Sequence, residues 1–287
     1  MKAFTPETRP ARITTPDGVE LHCEVAGGGT DAVVLPLACW TLPDLLPLVD
    51  GRTLVAYDPR GRGASDSLDR SQAFGLDADV ADLERVRAAL GLERISLVGW
   101  SYFGGVAAHY AAAYPARVAR LALLSPIPLR RIPWFGQAAQ AMTERLDADR
   151  MAGLQASARA GRHTANPERF CRDWLRAMLP GYVAEPDAIS RMQAQPCRCP
   201  NEHPHRLNPL LDRLWQSLGE WDWRAALAQL DVATLVLQGD ADFQPREAAE
   251  EWAGHLRARL EVVPGAGHML WVDRREAVLD ALGAFLA

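Results

Sequence analysis

Ile95-Ser96-Leu97-Val98-Gly99-Trp100-Ser101-Tyr102-Phe103-Gly104-Gly105 is the stretch that decides the fold. Ile95 to Val98 reads as a buried strand. Gly99-Trp100-Ser101 reads as a sharp turn. Val106 to Tyr114 then reads as an Ala-rich helix ended by Pro115, its small residues suited to close packing on a sheet. Strand, tight turn and helix place Ser101 where a nucleophile is presented. Its hydroxyl projects from the turn, the amide N–H of Tyr102 points to where an oxyanion forms, and the helix N-terminus adds a favourable field. The plainer reading of Ser101 is a helix cap.

Working outward, the same alternation recurs. Val19 to Val25 alternates as an edge strand does, and Gly27, Gly28 and Gly29 follow as a turn. Ala32 to Leu37 and Thr53 to Tyr57 read as buried strands. From Leu76 the period becomes helical, with Val80, Leu83, Val86 and Leu90 on one stripe and Gly91 to close it. Val118 to Leu124 is the next strand. Strands alternating with helices at this spacing indicate an α/β class built on a doubly wound, mostly parallel sheet.

Between Arg130 and Leu230 no strand pattern appears. Ala138 to Leu154, Arg169 to Leu179 and Asn208 to Leu218 read as helices. The α/β pattern returns with a strand at Thr234 to Gln238, a helix from Arg246 to about Leu256, a strand at Arg259 to Val263, and a helical tail from Arg275 to Leu286. The expected organisation is one core, residues 1–127 and 231–287, carrying a helical cap at 128–230.

Two further stretches carry groups that could serve Ser101. Gln238-Gly239-Asp240-Ala241-Asp242 leaves a strand end with two carboxylates, either of which could instead stabilise a turn. Gly265-Ala266-Gly267-His268 places an imidazole on a glycine-rich loop beyond the last strand, where it could reach a crevice or simply be a surface loop histidine. His109, His163, His203, His205 and His255 compete with it. His109 and His255 fall on helices, with no loop from which to reach Ser101.

DPRGRGASD (58–66), GWSYFGG (99–105), GDADF (239–243) and GAGHMLWVDRREAV (265–278) together resemble the α/β-hydrolase fold family, in the branch of proline iminopeptidases, haloperoxidase-like esterases and lactonases. The resemblance implies a Ser101–His268–Asp242 triad, since the family's acid falls three residues after the glycine. Asp240 is the second choice. It also implies that Ala38, in Pro36-Leu37-Ala38-Cys39-Trp40, supplies the second oxyanion amide beside Tyr102, and that Asp58 and Arg60 fix neighbouring loops. Two features depart from the pattern. Phe103 stands where the family has a small residue, and no His-Gly pair opens the first loop.

The implied reaction is hydrolysis of a small, partly apolar ester, lactone or amide through an acyl-enzyme. Two alternatives are a proline iminopeptidase-like aminopeptidase and a non-hydrolytic receptor. The aminopeptidase would need an acidic amine anchor, for which Glu168, Glu185, Glu202 and Glu220 are available. Trp100, Trp134, Trp215 and Trp271 are expected to line the substrate pocket. No cofactor is called for. Pro196 to His205 holds Cys197, Cys199, His203 and His205, a set that would suit zinc except that its spacing is irregular, so no metal is expected.

Composition narrows the partners. Of 287 residues 48% are hydrophobic and 23% charged, and the net charge of −5 lacks the basic face that nucleic acid needs. No apolar run reaches membrane-spanning length and residues 1–18 contain no signal-like apolar region, so a cytoplasmic protein acting on a small molecule is expected. Five scattered cysteines suggest mostly reduced thiols.

Overall fold

The computed structural model describes residues 7–69 and 71–287. The first six residues of the N-terminal reading lie outside that range.

Eight strands form one sheet in the order β1-β2-β4-β3-β5-β6-β7-β8. They are β1 (Thr8–Thr14), β2 (Glu20–Gly27), β3 (Ala32–Pro36), β4 (Thr53–Tyr57), β5 (Ile95–Trp100), β6 (Val118–Leu124), β7 (Thr234–Gly239) and β8 (Arg259–Val263). From β4 to β8 every pairing is parallel, whereas β1–β2 and β2–β4 are antiparallel. The continuous apolar runs follow from this placement. Val33, Val34, Leu35, Ile95, Leu97, Leu121, Leu235 and Val236 are all buried, as central strands covered by helices require.

The flanking helices are α1 (Ala38–Leu45), α2 (Leu76–Ala89), α3 (Tyr102–Ala113), α8 (Arg246–Leu256), α9 (Leu270–Asp273) and α10 (Arg275–Leu286). Helix α3 packs on β5 and β6, α2 packs on α3, and α8 packs on β7. Between β6 and β7 lie α4 (Trp134–Glu144), α5 (Ala148–Arg159), α6 (Pro167–Met178) and α7 (Pro204–Leu218), joined by short 3₁₀ turns. The only β-type pairing described in that segment is a single bridge between Arg130 and Asp222.

Several expectations are corrected. The stretch read at Val19–Val25 falls, from Glu20 on, in β2, which is not the edge: β1 lies outside it. The sequence of β1, Thr-Arg-Pro-Ala-Arg-Ile-Thr, is largely polar and holds a proline, as an edge strand tolerates. The single helix expected at Ala138–Leu154 is two, because Asp147 caps α5 by accepting from the Arg150 amide at 2.9 Å. The first loop is not open chain after Pro36 but turns at once into α1. Of the five cysteines, three remain free thiols (Cys23, Cys39 and Cys199), while Cys171 and Cys197 form a disulfide that no local pattern indicated.

The topology positions the site. Parallel strands β3 to β8 all end at the same edge of the sheet, and the chain leaves β3 and β5 in opposite directions along it. A crevice forms outside the strand ends where the winding reverses.

Candidate active site

Ser101 follows the last residue of β5 and precedes the first of α3. Its backbone is held at φ 54°, ψ −123°, a conformation that costs a non-glycine residue about 1–3 kcal/mol and is kept only where the surroundings enforce it. They do so here. The Ser101 amide donates to Leu124 O at 3.0 Å, while its carbonyl accepts from Gly104 at 3.0 Å and Ile127 at 3.2 Å.

Glycines make the tightness possible. A Cβ on Gly99 would lie 2.4 Å from Phe103 O, and one on Gly105 would lie 2.5 Å from the Trp223 ring. These positions supply the space that Phe103 does not. Its own ring lies edge-on to Tyr102, with centroids 5.0 Å apart, and lines the cavity beside the serine.

His268 Nε2 is 3.0 Å from Ser101 Oγ, and Nδ1 lies 3.0 and 3.1 Å from the two oxygens of Asp242. The His268 and Asp242 side chains are 1% and 0% exposed. Asp242 also accepts from the Gln244 amide at 3.0 Å, and the Arg145 guanidinium holds the backbone carbonyls of Ala241 and Asp242. The histidine loop is equally fixed. Asp273 accepts from the Gly267 amide at 2.8 Å, and Trp100 Nε1 donates to His268 O at 3.0 Å. A Cβ on Gly267 would lie within 2.8 Å of the Tyr182–Ala184 backbone, so only glycine lets the loop pass. Asp240, the other carboxylate, is exposed and accepts from Gly265 N at 2.7 Å. The two acids are thereby told apart.

Opposite Ser101, Leu37 takes a left-handed conformation (φ 63°, ψ 56°) and starts α1 at Ala38. Asp58 braces this turn by accepting from the Cys39 and Ala64 amides, both at 2.9 Å. Ala38 and Tyr102 are the first residues of their helices, and neither amide donates to another described group. Arg60 does the loop-fixing work the sequence suggested, bonding both oxygens of Asp82 at 2.6 and 2.7 Å and reaching Asp17 at 2.8 Å.

A cavity of about 180 Å³ opens on Ser101. It is lined on the core side by Leu37, Trp40, Trp100 and Phe103, and on the other by residues of α6 and α7 including Trp174, Leu207 and Trp215.

A family model described as "alpha/beta hydrolase fold" matches residues 27–274. The chain belongs to the α/β-hydrolase fold family. Among curated relatives it is 24% identical to a proline iminopeptidase of Heyndrickxia coagulans, covering 91% of each chain. It is 27% identical to a non-heme haloperoxidase of Rhodococcus erythropolis, covering 96% of this chain and 98% of the relative. Among solved structures it superposes on a thermophilic esterase from Thermogutta terrifontis with a TM-score of 0.69 at 24% identity, covering 97% of this chain and 98% of that one. As in other members of the fold, the hydrolase triad runs Ser, Asp, His along the chain.

Around this hydrolase site the tryptophans divide. Trp100 and Trp215 line the cavity, together with Trp40 and Trp174. Trp134 does not, because its Nε1 is drawn to Glu251 at 2.6 Å. Trp271 is buried edge-on beneath Trp100, with ring centroids 5.0 Å apart, and so supports the pocket from behind.

The Cys/His run is dispersed. Cys197 is in the disulfide, Cys199 is a free thiol, His203 Nε2 meets Cys197 O at 3.0 Å, and His205 faces His163. No group of three or more metal-ligating side chains occurs among the described residues. No described helix is long and apolar enough to cross a membrane.

Sequence reasoning missed one pair in the cavity wall. Glu202 is fully buried and takes both Arg62 Nε (3.0 Å) and Nη2 (2.9 Å), with Trp40 Nε1 at 2.6 Å and Gly63 N at 2.8 Å. Burial works to raise the Glu202 pKa, but the Arg62 charge and these donors outweigh it and hold the carboxyl below its ordinary range. Their positions, 140 residues apart in the chain, give no local signal of the contact.

Proposed function

We propose that this hydrolase cleaves a small, largely apolar ester or lactone, with amides as poorer substrates. The observation that carries the reading is the complete hydrogen-bonded line Ser101–His268–Asp242 opening into an apolar cavity. That cavity is smaller than the roughly 300–1,000 Å³ of typical ligand sites, which suits a short acyl group.

In the proposed reaction His268 Nε2 accepts the Ser101 proton as Oγ bonds to the substrate carbonyl carbon, while Asp242 keeps the other ring proton on Nδ1 and stabilises the imidazolium. The carbonyl oxygen becomes an oxyanion between the amides of Ala38 and Tyr102, supported by the N-termini of α1 and α3. Collapse breaks the ester bond and His268 returns the proton to the leaving oxygen. Water then repeats the sequence on the acyl-enzyme and frees the acid. Residues 128–230 act as the lid, since α6 and α7 supply the outer wall.

Glu202 bears on the aminopeptidase alternative. It is the one carboxylate among the cavity-lining residues, and its two oxygens already accept four hydrogen bonds. A substrate ammonium would find no free acceptor there. Glu168 and Glu220 pair with Arg172 and Arg131 away from this cavity.

A panel of short p-nitrophenyl esters beside prolyl and alanyl β-naphthylamides tests the choice. Ester turnover should exceed naphthylamide turnover by orders of magnitude. Preferential release of naphthylamine would establish the aminopeptidase instead.

A further inference from the structure

We infer that Arg62 is a specificity-determining residue, reading a neutral hydrogen-bond acceptor, such as a keto or hydroxyl oxygen, carried by the acyl chain of the substrate. The inference rests on the ester-hydrolase reading above and sharpens its substrate class.

Arg62 and Ser101 line the same cavity, whose wall is otherwise mostly aliphatic and aromatic. A guanidinium carries five N–H donors in a fixed fork. Glu202 engages Nε and Nη2, which turns one edge of the fork into the protein. Among the described residues Nη1 has no partner, and it is not one of the buried atoms sealed away from solvent. The side chain is 13% exposed. A cation held rigidly by a buried carboxylate, with one terminal amino group left over, is a donor already in place for a ligand.

Charge selects the kind of ligand. Glu202 cancels the Arg62 charge, so the wall as a whole is neutral. A substrate carboxylate would be stripped of water and would meet Glu202 as well as Arg62. An ammonium would face the guanidinium. A neutral carbonyl or hydroxyl oxygen takes the free donor at a much smaller desolvation cost. Esters bearing an oxo or hydroxy group part-way along a short chain therefore fit better than simple alkanoates.

The test compares matched p-nitrophenyl esters: 4-oxopentanoate against pentanoate, and 5-oxohexanoate against hexanoate. For at least one pair the native enzyme should prefer the oxo ester by about tenfold or more in kcat/KM, the effect of one charge-assisted hydrogen bond. In the double variant Arg62→Met/Glu202→Leu, which removes both charges together, that ratio should fall to about one. Removing Arg62 alone would leave a buried carboxylate unpaired. If the double variant does not fold, Arg62→Lys is read in its place. Its ammonium keeps the pairing with Glu202 but lacks the guanidinium's outward edge, and the ratio should drop at least severalfold.

Labelling of Ser101 by a fluorophosphonate probe, run alongside, distinguishes failure of the inference from failure of the hydrolase reading. A native enzyme that labels but shows no oxo preference overturns the role of Arg62 alone. So does a folded variant that keeps the preference. A native enzyme that does not label overturns this inference and the hydrolase reading together.

Discussion

Asparagine at position 242 would keep the size of the side chain and remove its charge, and the surrounding hydrogen bonds dictate how the triad responds. Asp242 Oδ1 serves two donors, the Gln244 amide and His268 Nδ1, and Oδ2 serves Nδ1 as well. An asparagine oxygen retained by the Gln244 amide turns its NH₂ toward His268. Nδ1 must then accept, the ring proton moves to Nε2, and Nε2 can no longer take a proton from Ser101. The imidazolium that forms in the reaction also loses its counter-charge in a site with almost no solvent contact. A comparable substitution in another serine triad lowers turnover by about 10⁴-fold, about 5.5 kcal/mol of barrier. Asp240→Asn is the internal control. Its carboxylate is exposed and serves only the Gly265 amide among the described hydrogen bonds, a partner that an amide oxygen can keep. Its expected cost is about 1 kcal/mol or less in stability and a few-fold in rate. The assay is kcat for both variants on the best ester, with circular dichroism to show that each is folded. A larger loss in Asp240→Asn, or a folded Asp242→Asn within tenfold of the native rate, would refute the assignment of the acid.

Three other perturbations give distinct outcomes. Gly99→Ala places a methyl group 2.4 Å from Phe103 O and 2.9 Å from Gly104 Cα; backbone cannot yield there as a side chain can, so the variant should lose at least about 3 kcal/mol in urea unfolding or lose activity, and a native-like, active variant would contradict the tight elbow. Burial pushes the Asp79 carboxyl up from 3.8 to about 7, although Tyr102 donates to it at 2.7 Å. The folded protein therefore holds this proton more tightly than the unfolded chain does, and stability should fall as pH rises from about 4 to above 7, by at most about 4 kcal/mol. Asp79→Asn should flatten that pH dependence, and equal slopes for both proteins in unfolding at pH 5 and 8 would contradict it. Reducing the Cys171–Cys197 disulfide, which spans 26 residues, should lower stability by about 3 kcal/mol; an unchanged melting temperature after reduction, with the free thiols counted, would contradict it.

The parts legible in the sequence were those written in local patterns. Apolar runs marked β3, β4, β5 and β7, and the serine at the β5–α3 junction announced itself through the glycines that its turn requires. The choice of Asp242 over Asp240 came from family register, and in the structure Asp242 is the carboxylate that meets His268. What escaped had no local signature. β1 is polar because it lies at the edge, so alternation could not mark it. Helix α1 contains Pro43 and begins at a left-handed leucine where glycine is the usual signal. The Cys171–Cys197 bridge and the Arg62–Glu202 pair join residues far apart in the chain, and only the tertiary fold brings Glu202 to Arg62. Trp134 and Trp271 were plausible pocket residues by position, and lost that place to a hydrogen bond with Glu251 and to burial behind Trp100.

The central claim is that Ser101 is a nucleophile activated by His268, and covalent capture tests it most directly. The native protein treated with a fluorophosphonate should gain one adduct per chain by intact mass, mapped to the peptide containing Ser101. Ser101→Ala should gain none, and His268→Ala should react far more slowly. Absence of an adduct on active, folded protein, or an adduct on another residue that persists in Ser101→Ala, would contradict the account.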